Sequence, residues 1–191
     1  MSEKKPLDTH WHSRVGATEG LQNVGNGATM ELHINRRRKR WPTMDASSSI
    51  TRTVVVNAPR SAVWAAITDP DKISQWFGQR TSLDLSVGGK AAFTWDEHGT
   101  AHAVVTEVDE PNAFGFRWAA DIDADPVIGN STLVRFTLSE HAAGTELTVV
   151  ETGFDTLDRD VADQKRAREG NVQGWHAELD ELVAYLHGVK A

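Results

Sequence analysis

Cysteine is absent from the 191 residues of the chain, which excludes disulfide bonds and thiolate metal sites. No apolar run approaches the roughly 20 residues that a transmembrane helix needs. The N-terminus also lacks the apolar core of a secretion signal. We therefore expect a cytoplasmic protein. We also expect no metal, because His10, His12 and His33 lack a second ligand cluster at a defined spacing, and no other cofactor.

Standard catalytic motifs are missing as well. The sequence contains no Gly-x-Ser-x-Gly turn, no His-Glu-x-x-His motif, no phosphate-binding loop and no glycine fingerprint for a dinucleotide. These absences leave no sequence motif from which a reaction can be named, but an enzyme without a standard motif stays open.

Positive charge is scarce in most of the chain. Residues 44–191 hold twelve Lys or Arg against twenty-three Asp or Glu, whereas residues 1–43 hold eight against four. An acidic body argues against a grip on a phosphate backbone, so a nucleic-acid interaction could rest only on the N-terminal segment. The candidate there is a basic run, Arg36, Arg37, Arg38, Lys39 and Arg40.

Residues 1–49 show neither helical nor strand periodicity and are rich in Gly, Asn, Ser and Thr. We interpret them as a disordered extension ahead of one domain at residues 50–188. Short basic runs are weak motifs, which favours a plain solvated extension over a nucleic-acid arm. Whether translation starts at Met1 or at Met44 stays open.

The domain opens with a strand and two short helices. Residues 51–56 are mostly β-branched, as is typical of a strand. Asn57 and Pro59 then predict the start of a first helix that ends near Ile67, since they supply an N-cap and a first-turn proline. Asp69 and Pro70 repeat that signal for a second helix ending near Gly78.

Beyond Gly78 the apolar residues follow the two-residue period of β-strands. Short alternating segments are separated by turn sequences such as Gly88-Gly89 and Asp109-Glu110-Pro111-Asn112. Strands joined by short turns form an antiparallel meander. The predicted strands are residues 81–87, 91–95, 101–108, 114–118, 134–138 and 147–152.

The C-terminal segment changes to helical spacing, with apolar residues three and four apart and polar residues between them. The apolar stripe consists of Val172, Trp175, Leu179, Leu182, Val183 and Leu186. Residues 157–169 either begin this helix or form a short one before it. Together the elements predict an α+β fold, in which a curved antiparallel sheet of about seven strands wraps a long C-terminal helix.

Five segments in this order resemble the START and birch-pollen-allergen superfamily, also called SRPBCC. They are VNAPRSAVWAAITDPDKISQWF, LSVGGKAAFTW, VVTEVDEPNAFGFRW, GTELTVVETGF and GWHAELDELVAYL. Within the superfamily the chain is most similar to the family resembling the C-terminal domain of the activator of the heat-shock-ninety ATPase. The resemblance implies a helix-grip fold whose cavity serves lipids, sterols, polyketides and other apolar ligands. It does not imply one chemistry, because this scaffold also hosts cyclases, hydrolases and co-chaperone-like domains.

Large aromatic side chains on inward-facing positions are the candidates for a cavity wall, since they offer rigid apolar surface to a flat or greasy molecule. Simple filling of the core is the alternative for each of them. The candidates are Trp64, Trp76, Phe77, Phe93, Trp95, Phe116, Trp118, Phe136 and Trp175.

Glu151 is the polar candidate, because it shares the alternation of Leu147 and Val149 and would be buried with them. A buried carboxylate is either hydrogen-bonded as part of the structure, which we favour, or an acid or base with a raised pKa.

The leading hypothesis is a domain that binds a lipid-like or polyketide-like molecule. A cyclase, lyase or hydrolase using Glu151 and a co-chaperone-like interaction module of a stress response are the alternatives, and whether the chain forms a homodimer stays open.

Overall fold

A computed structural model describes residues 48–188 of the chain. The predictions for residues 1–47, including the basic run from Arg36 to Arg40, lie outside the described residues. Within them the chain forms seven strands and three α-helices, as the sequence predicts. The strands are β1 Ile50–Val56, β2 Arg80–Leu83, β3 Lys90–Trp95, β4 Gly99–Asp109, β5 Ala113–Ala119, β6 Ser131–His141 and β7 Gly144–Thr152. The helices are α1 Arg60–Thr68, α2 Pro70–Ile73 and α3 Val161–Gly188.

The strands form one curved antiparallel sheet in the order β1-β7-β6-β5-β4-β3-β2. Strands β2 to β7 are a meander in which each strand pairs with the next, and β1 returns to pair with β7. A β-bulge between Val105 and Glu107 shifts the register of β4 against β5. Bulges increase local twist and bend, which helps a sheet curve around a helix.

One face of the sheet is covered by the helices, and this produces the alternation of burial along the strands. In β7 every second residue is buried, so that Leu147, Val149 and Glu151 all point into the core. The 28 residues of α3 bury a stripe that includes Asn171, Trp175 and Leu179 against this face. The helix-grip fold predicted from the sequence is therefore confirmed.

The helix starts differ from the prediction at α1. Pro59, in extended conformation, is the N-cap residue of α1, and Asn57 lies outside the helix, so no side chain caps it. At α2 the predicted start is confirmed, because the Asp69 side chain accepts a hydrogen bond from the Asp71 backbone N–H. The predicted end near Gly78 is wrong, since α2 ends at Ile73 and turns and bends follow it. The C-terminal helix begins at Val161 and follows a separate 3₁₀ turn at Phe154–Thr156.

The second strand is shorter than its alternation suggested. It ends at Leu83, whereas the prediction extended it to residue 87, and Leu85 and Val87 in the predicted part are 38% and 69% exposed. The turn that closes the hairpin begins early, since the Asp84 N–H already bonds across to the Lys90 carbonyl. None of the described helices is long and apolar enough to span a membrane.

A candidate ligand-binding site in the aromatic interior

A small cavity lies between the concave face of the sheet and the helices. Its volume is about 10 Å³, which is room for roughly one water-sized sphere. Among the described residues, no polar atom contributes to its wall. We call it the aromatic cavity, and it is lined by Ile67, Ile73, Trp76, Phe77, Phe93, Phe114, Phe116, Phe136 and Trp175.

Phe77 is the ring around which this interior packs. Its ring lies edge-on to Phe93 at a centroid distance of 5.1 Å and edge-on to Trp95 at 5.2 Å. It is stacked on Trp175 at 5.8 Å with only 10° between the ring planes. These are the distances and tilts that aromatic pairs prefer, so the rings interlock closely.

The indole N–H groups of the two lining tryptophans both point away from the cavity toward protein acceptors. Trp76 donates to the backbone carbonyl of Ala66 at 2.9 Å. Trp175 donates to Oε2 of Glu151 at 2.7 Å. The cavity therefore meets only the hydrocarbon faces of these rings.

Glu151 lies behind the cavity wall and is the most heavily hydrogen-bonded buried side chain of the site. Its side chain is completely buried, and its Oε1 accepts hydrogen bonds from Thr132 Oγ1 at 2.6 Å, Trp118 Nε1 at 2.9 Å and Asn171 Nδ2 at 2.9 Å. With Trp175 on Oε2, the carboxylate accepts from four side chains. We call these five residues the Glu151 cluster.

Burial raises the pKa of Glu151 above its ordinary value of 4.5, and the hydrogen bonds from Thr132, Trp175, Trp118 and Asn171 oppose that increase. The cause is the loss of water around a charge, which disfavours the ionised form.

The opposite pKa shift occurs at a carboxylate on the outer face of the sheet. There Arg135 donates two hydrogen bonds to Glu107, at 2.6 and 2.8 Å, and these lower the pKa of Glu107.

The sequence-based candidates divide into two groups. Six of the nine aromatic candidates line the cavity, namely Trp76, Phe77, Phe93, Phe116, Phe136 and Trp175. Trp64, Trp95 and Trp118 are buried but lie elsewhere in the core, Trp118 within the Glu151 cluster. Glu151 itself does not line the cavity.

Sequence reasoning did not select Ile67, Ile73 and Phe114 for the wall, nor Thr132 and Asn171 for the carboxylate. For two of these residues the sequence contains a pattern that could have identified them. Phe114 has the same strand parity as Phe116, and Asn171 precedes Trp175 by one helical turn. In the part of the chain that the structure describes, no group of three or more His, Asp or Glu side chains could hold a metal ion.

Comparison with known families identifies the fold. Residues 57–187 match the model of the family described as activator of Hsp90 ATPase homolog 1-like protein. The chain belongs to this family. Its helix-grip fold is consistent with a ligand-binding domain, and the match covers both the aromatic cavity and the Glu151 cluster.

Solved structures share this AHSA1-like fold. MLL2253 from Mesorhizobium loti is 22% identical with a TM-score of 0.63, the match covering 75% of this chain and 99% of that protein. BH1534 from Bacillus halodurans is 26% identical with a TM-score of 0.57, covering 72% of this chain and 96% of that one. DynU16, from the dynemicin biosynthetic locus, is 26% identical with a TM-score of 0.60, over 75% of this chain but only 48% of DynU16. No curated protein matches the sequence.

Proposed function

We propose that this domain binds a small apolar or aromatic molecule in the aromatic cavity. The observation that carries the proposal is a cavity whose wall is entirely apolar and is built from the sheet, the two short helices and α3. Small-molecule sites are typically lined mainly by hydrophobic and aromatic side chains, as this cavity is. DynU16, encoded in a biosynthetic locus, adds support for a role with small organic molecules.

The volume of the cavity sets a condition on binding. About 10 Å³ accommodates no organic molecule, whereas an engineered apolar cavity of about 150 Å³ binds benzene. A ligand must therefore move part of the wall outward. In the proposed mechanism the ligand displaces aromatic rings of the wall and takes the space that they occupy in the structure.

The part of the wall best suited to move is the turn segment that carries Phe77, because the side chain of the neighbouring Trp76 is held to α1 by its N–H bond to the Ala66 carbonyl. Helix α2 is only four residues long, and residues 74–79 after it form turns and bends up to β2. Short helices have little stability of their own. Moving this segment would displace Phe77 from Trp175 while leaving the strand pairings of the sheet intact.

A titration with naphthalene, as a flat aromatic probe, and with dodecanoate, as a lipid-like probe, tests the proposal. We expect at least one of them to raise the melting temperature and to change tryptophan emission, because a ligand that binds only the folded state stabilises it by mass action. The variant Ile73→Phe fills the cavity and should abolish the response. Val161→Phe adds the same ring at a position that is 80% exposed and should preserve it.

Equal responses of the two variants would place the probe elsewhere on the protein. No response of the wild type to either probe would contradict the proposed function.

The nearly filled interior favours one other candidate, an interaction module of the co-chaperone type. The acidic composition of residues 44–191 would then face a basic partner surface. Binding of the domain to an immobilised heat-shock-ninety chaperone, weakening as salt is raised, would support this second candidate. A signal equal to that of an unrelated acidic protein would contradict it.

The enzyme hypothesis has less geometric support. Glu151 lies behind Trp175, whose ring forms the wall, and all four of its hydrogen-bond donors are protein side chains. This arrangement supports a positioning role for Glu151, which orients Trp175, rather than contact with a substrate.

A further inference from the structure

We infer that the part of the ligand held in the aromatic cavity is pure hydrocarbon and carries no hydrogen-bonding group. The inference rests on the proposed function and narrows its ligand class. It excludes hydroxylated aromatic molecules, such as polyphenolic polyketides, from complete burial in this site, and favours alkyl chains or unsubstituted aromatic rings.

The side chains that line the aromatic cavity offer almost no polar atom to a ligand. Seven of the nine lining side chains are Ile or Phe and have no polar atom. The remaining two are Trp76 and Trp175, and each has a single polar atom, the indole N–H, which is a donor only. A polar ligand group could therefore find a partner only if one of these N–H groups left its present acceptor.

Both indole N–H groups already donate a hydrogen bond to a protein acceptor. Trp76 bonds to the Ala66 carbonyl, which lies in the last turn of α1 where carbonyls have no partner within the helix. Trp175 is the donor to Oε2 of Glu151, a carboxylate that is fully buried. Releasing either N–H would leave a buried acceptor without that partner, which opposes the gain from a new bond to the ligand.

An apolar wall should bind a ligand with a methyl group more tightly than the same ligand with a hydroxyl group. Burying a hydroxyl without a hydrogen bond costs enough to weaken binding by about ten-fold or more. A methyl group of similar size carries no such cost. The cavity should therefore separate two molecules of the same shape that differ only by methyl and hydroxyl.

Toluene and phenol are such a pair, and both are smaller than naphthalene, so they require less displacement of the rings. We expect the full-length protein to bind toluene at least about ten-fold more tightly than phenol, measured by calorimetry or by the shift of the melting temperature. The variant Ile73→Thr places a hydroxyl in the wall and should reduce this ratio. The matched control Ile73→Val also shortens the side chain but adds no polar atom, and should keep the wild-type ratio.

The possible outcomes distinguish failure of the inference from failure of the proposed function. Phenol binding as tightly as toluene in the wild type would overturn the inference while leaving the proposed function in place. A wild-type preference that Ile73→Thr leaves unchanged would also overturn it, because the wall would not be setting the ratio. Absence of binding by both molecules, together with no response to naphthalene or dodecanoate, would overturn the proposed function itself.

Discussion

At the scale of single residues, the Glu151 side chain joins four elements of the fold through its hydrogen bonds. Its donors come from β5, β6 and α3, and the carboxylate itself lies on β7. We expect Glu151→Leu to lower the free energy of unfolding by at least about 3 kcal/mol, because the buried donors of Thr132, Asn171 and Trp175 would lose their acceptor. The Trp118 N–H would keep only its bond to Thr132 Oγ1. Urea denaturation followed by far-ultraviolet circular dichroism measures this change.

Replacing Glu151 by its amide, glutamine, should lower the free energy of unfolding by less than replacing it by leucine. Glu151→Gln keeps one acceptor oxygen but turns an NH₂ group toward one of the donors, so we expect a loss of about 1 to 3 kcal/mol. The matched control is Glu107→Gln, whose partner Arg135 is half exposed, and it should cost less than about 1 kcal/mol. Equal losses at positions 107 and 151 would contradict a structural role for the Glu151 cluster.

The pH dependence of stability follows from the same residue. Burial raises the pKa of Glu151 in the folded state, so the folded protein holds a proton that the unfolded chain releases near pH 4.5. The stability from this proton is fully present below pH 4.5 and is lost as pH rises through the folded pKa. The wild type should therefore lose stability relative to Glu151→Gln as pH rises across that window.

Denaturation curves of both proteins over a pH series measure this difference, and the other carboxylates cancel because both proteins have them. A difference that grows in favour of the wild type with rising pH would show that the hydrogen bonds outweigh burial.

The burial of Glu151 could be predicted from its sequence, but its partners could not. Alternation with Leu147 and Val149 is a local property of one strand and fixes which face the carboxylate occupies. The donors lie between 19 and 33 residues away in sequence, and only the registers of β5, β6 and β7 and the docking of α3 bring them together.

At the scale of elements, the four-residue helix α2 begins with a side-chain cap, Asp69. Asp69 accepts a hydrogen bond from the Asp71 N–H at 3.1 Å and pairs with Lys72 at 2.5 Å. We expect Asp69→Ala to cost about 1 kcal/mol and to speed hydrogen exchange of the Ile73 and Phe77 amides, since the cap is lost. Hydrogen exchange followed by NMR measures both amides.

Asp69→Asn is the control, because asparagine caps a helix as well as aspartate does and the pair with Lys72 is substantially exposed. It should stay close to the wild type in stability and exchange. If asparagine and alanine had the same effect, the charge rather than the cap would hold α2.

The elements themselves follow from the sequence where the signal is local. The strands β3 to β7 and the stripe of α3 are confirmed, although β5 is buried along nearly its whole length rather than at every second residue. The errors lie where a tertiary contact or a turn decides the boundary. Asn57 is a good capping residue, yet β1 ends beside it and the helix begins only after Pro59. Leu85 and Val87 continue an alternation that the hairpin turn interrupts.

At the scale of the whole molecule, we propose that the domain formed by the described residues folds without residues 1–43. We expect a fragment that starts at Met44 to keep the melting temperature of the full chain within about 3 °C, which corresponds to less than about 1 kcal/mol at this size. Differential scanning calorimetry of the two proteins measures this. A larger fall would show that residues 1–43 contribute to the stability of the domain.

The volume of the interior is a property of the whole molecule that no local pattern encodes. Nine side chains from α1, α2, three strands, α3 and the turn after α2 line the cavity, and its volume is the small space left by their close packing. The sequence could predict that most of these side chains are apolar and buried. It could not predict that they leave room for only a water-sized sphere, because that depends on ring orientations such as the stacking of Phe77 on Trp175.

The central claim is that an apolar guest enters the interior beside Phe77. The most direct test is the set of intermolecular nuclear Overhauser effects between toluene and the full-length protein. We expect effects from toluene to protons of Ile73, Phe77 and Phe136, which line the cavity. Effects only to exposed side chains such as Val87, or none at saturating toluene, would contradict it.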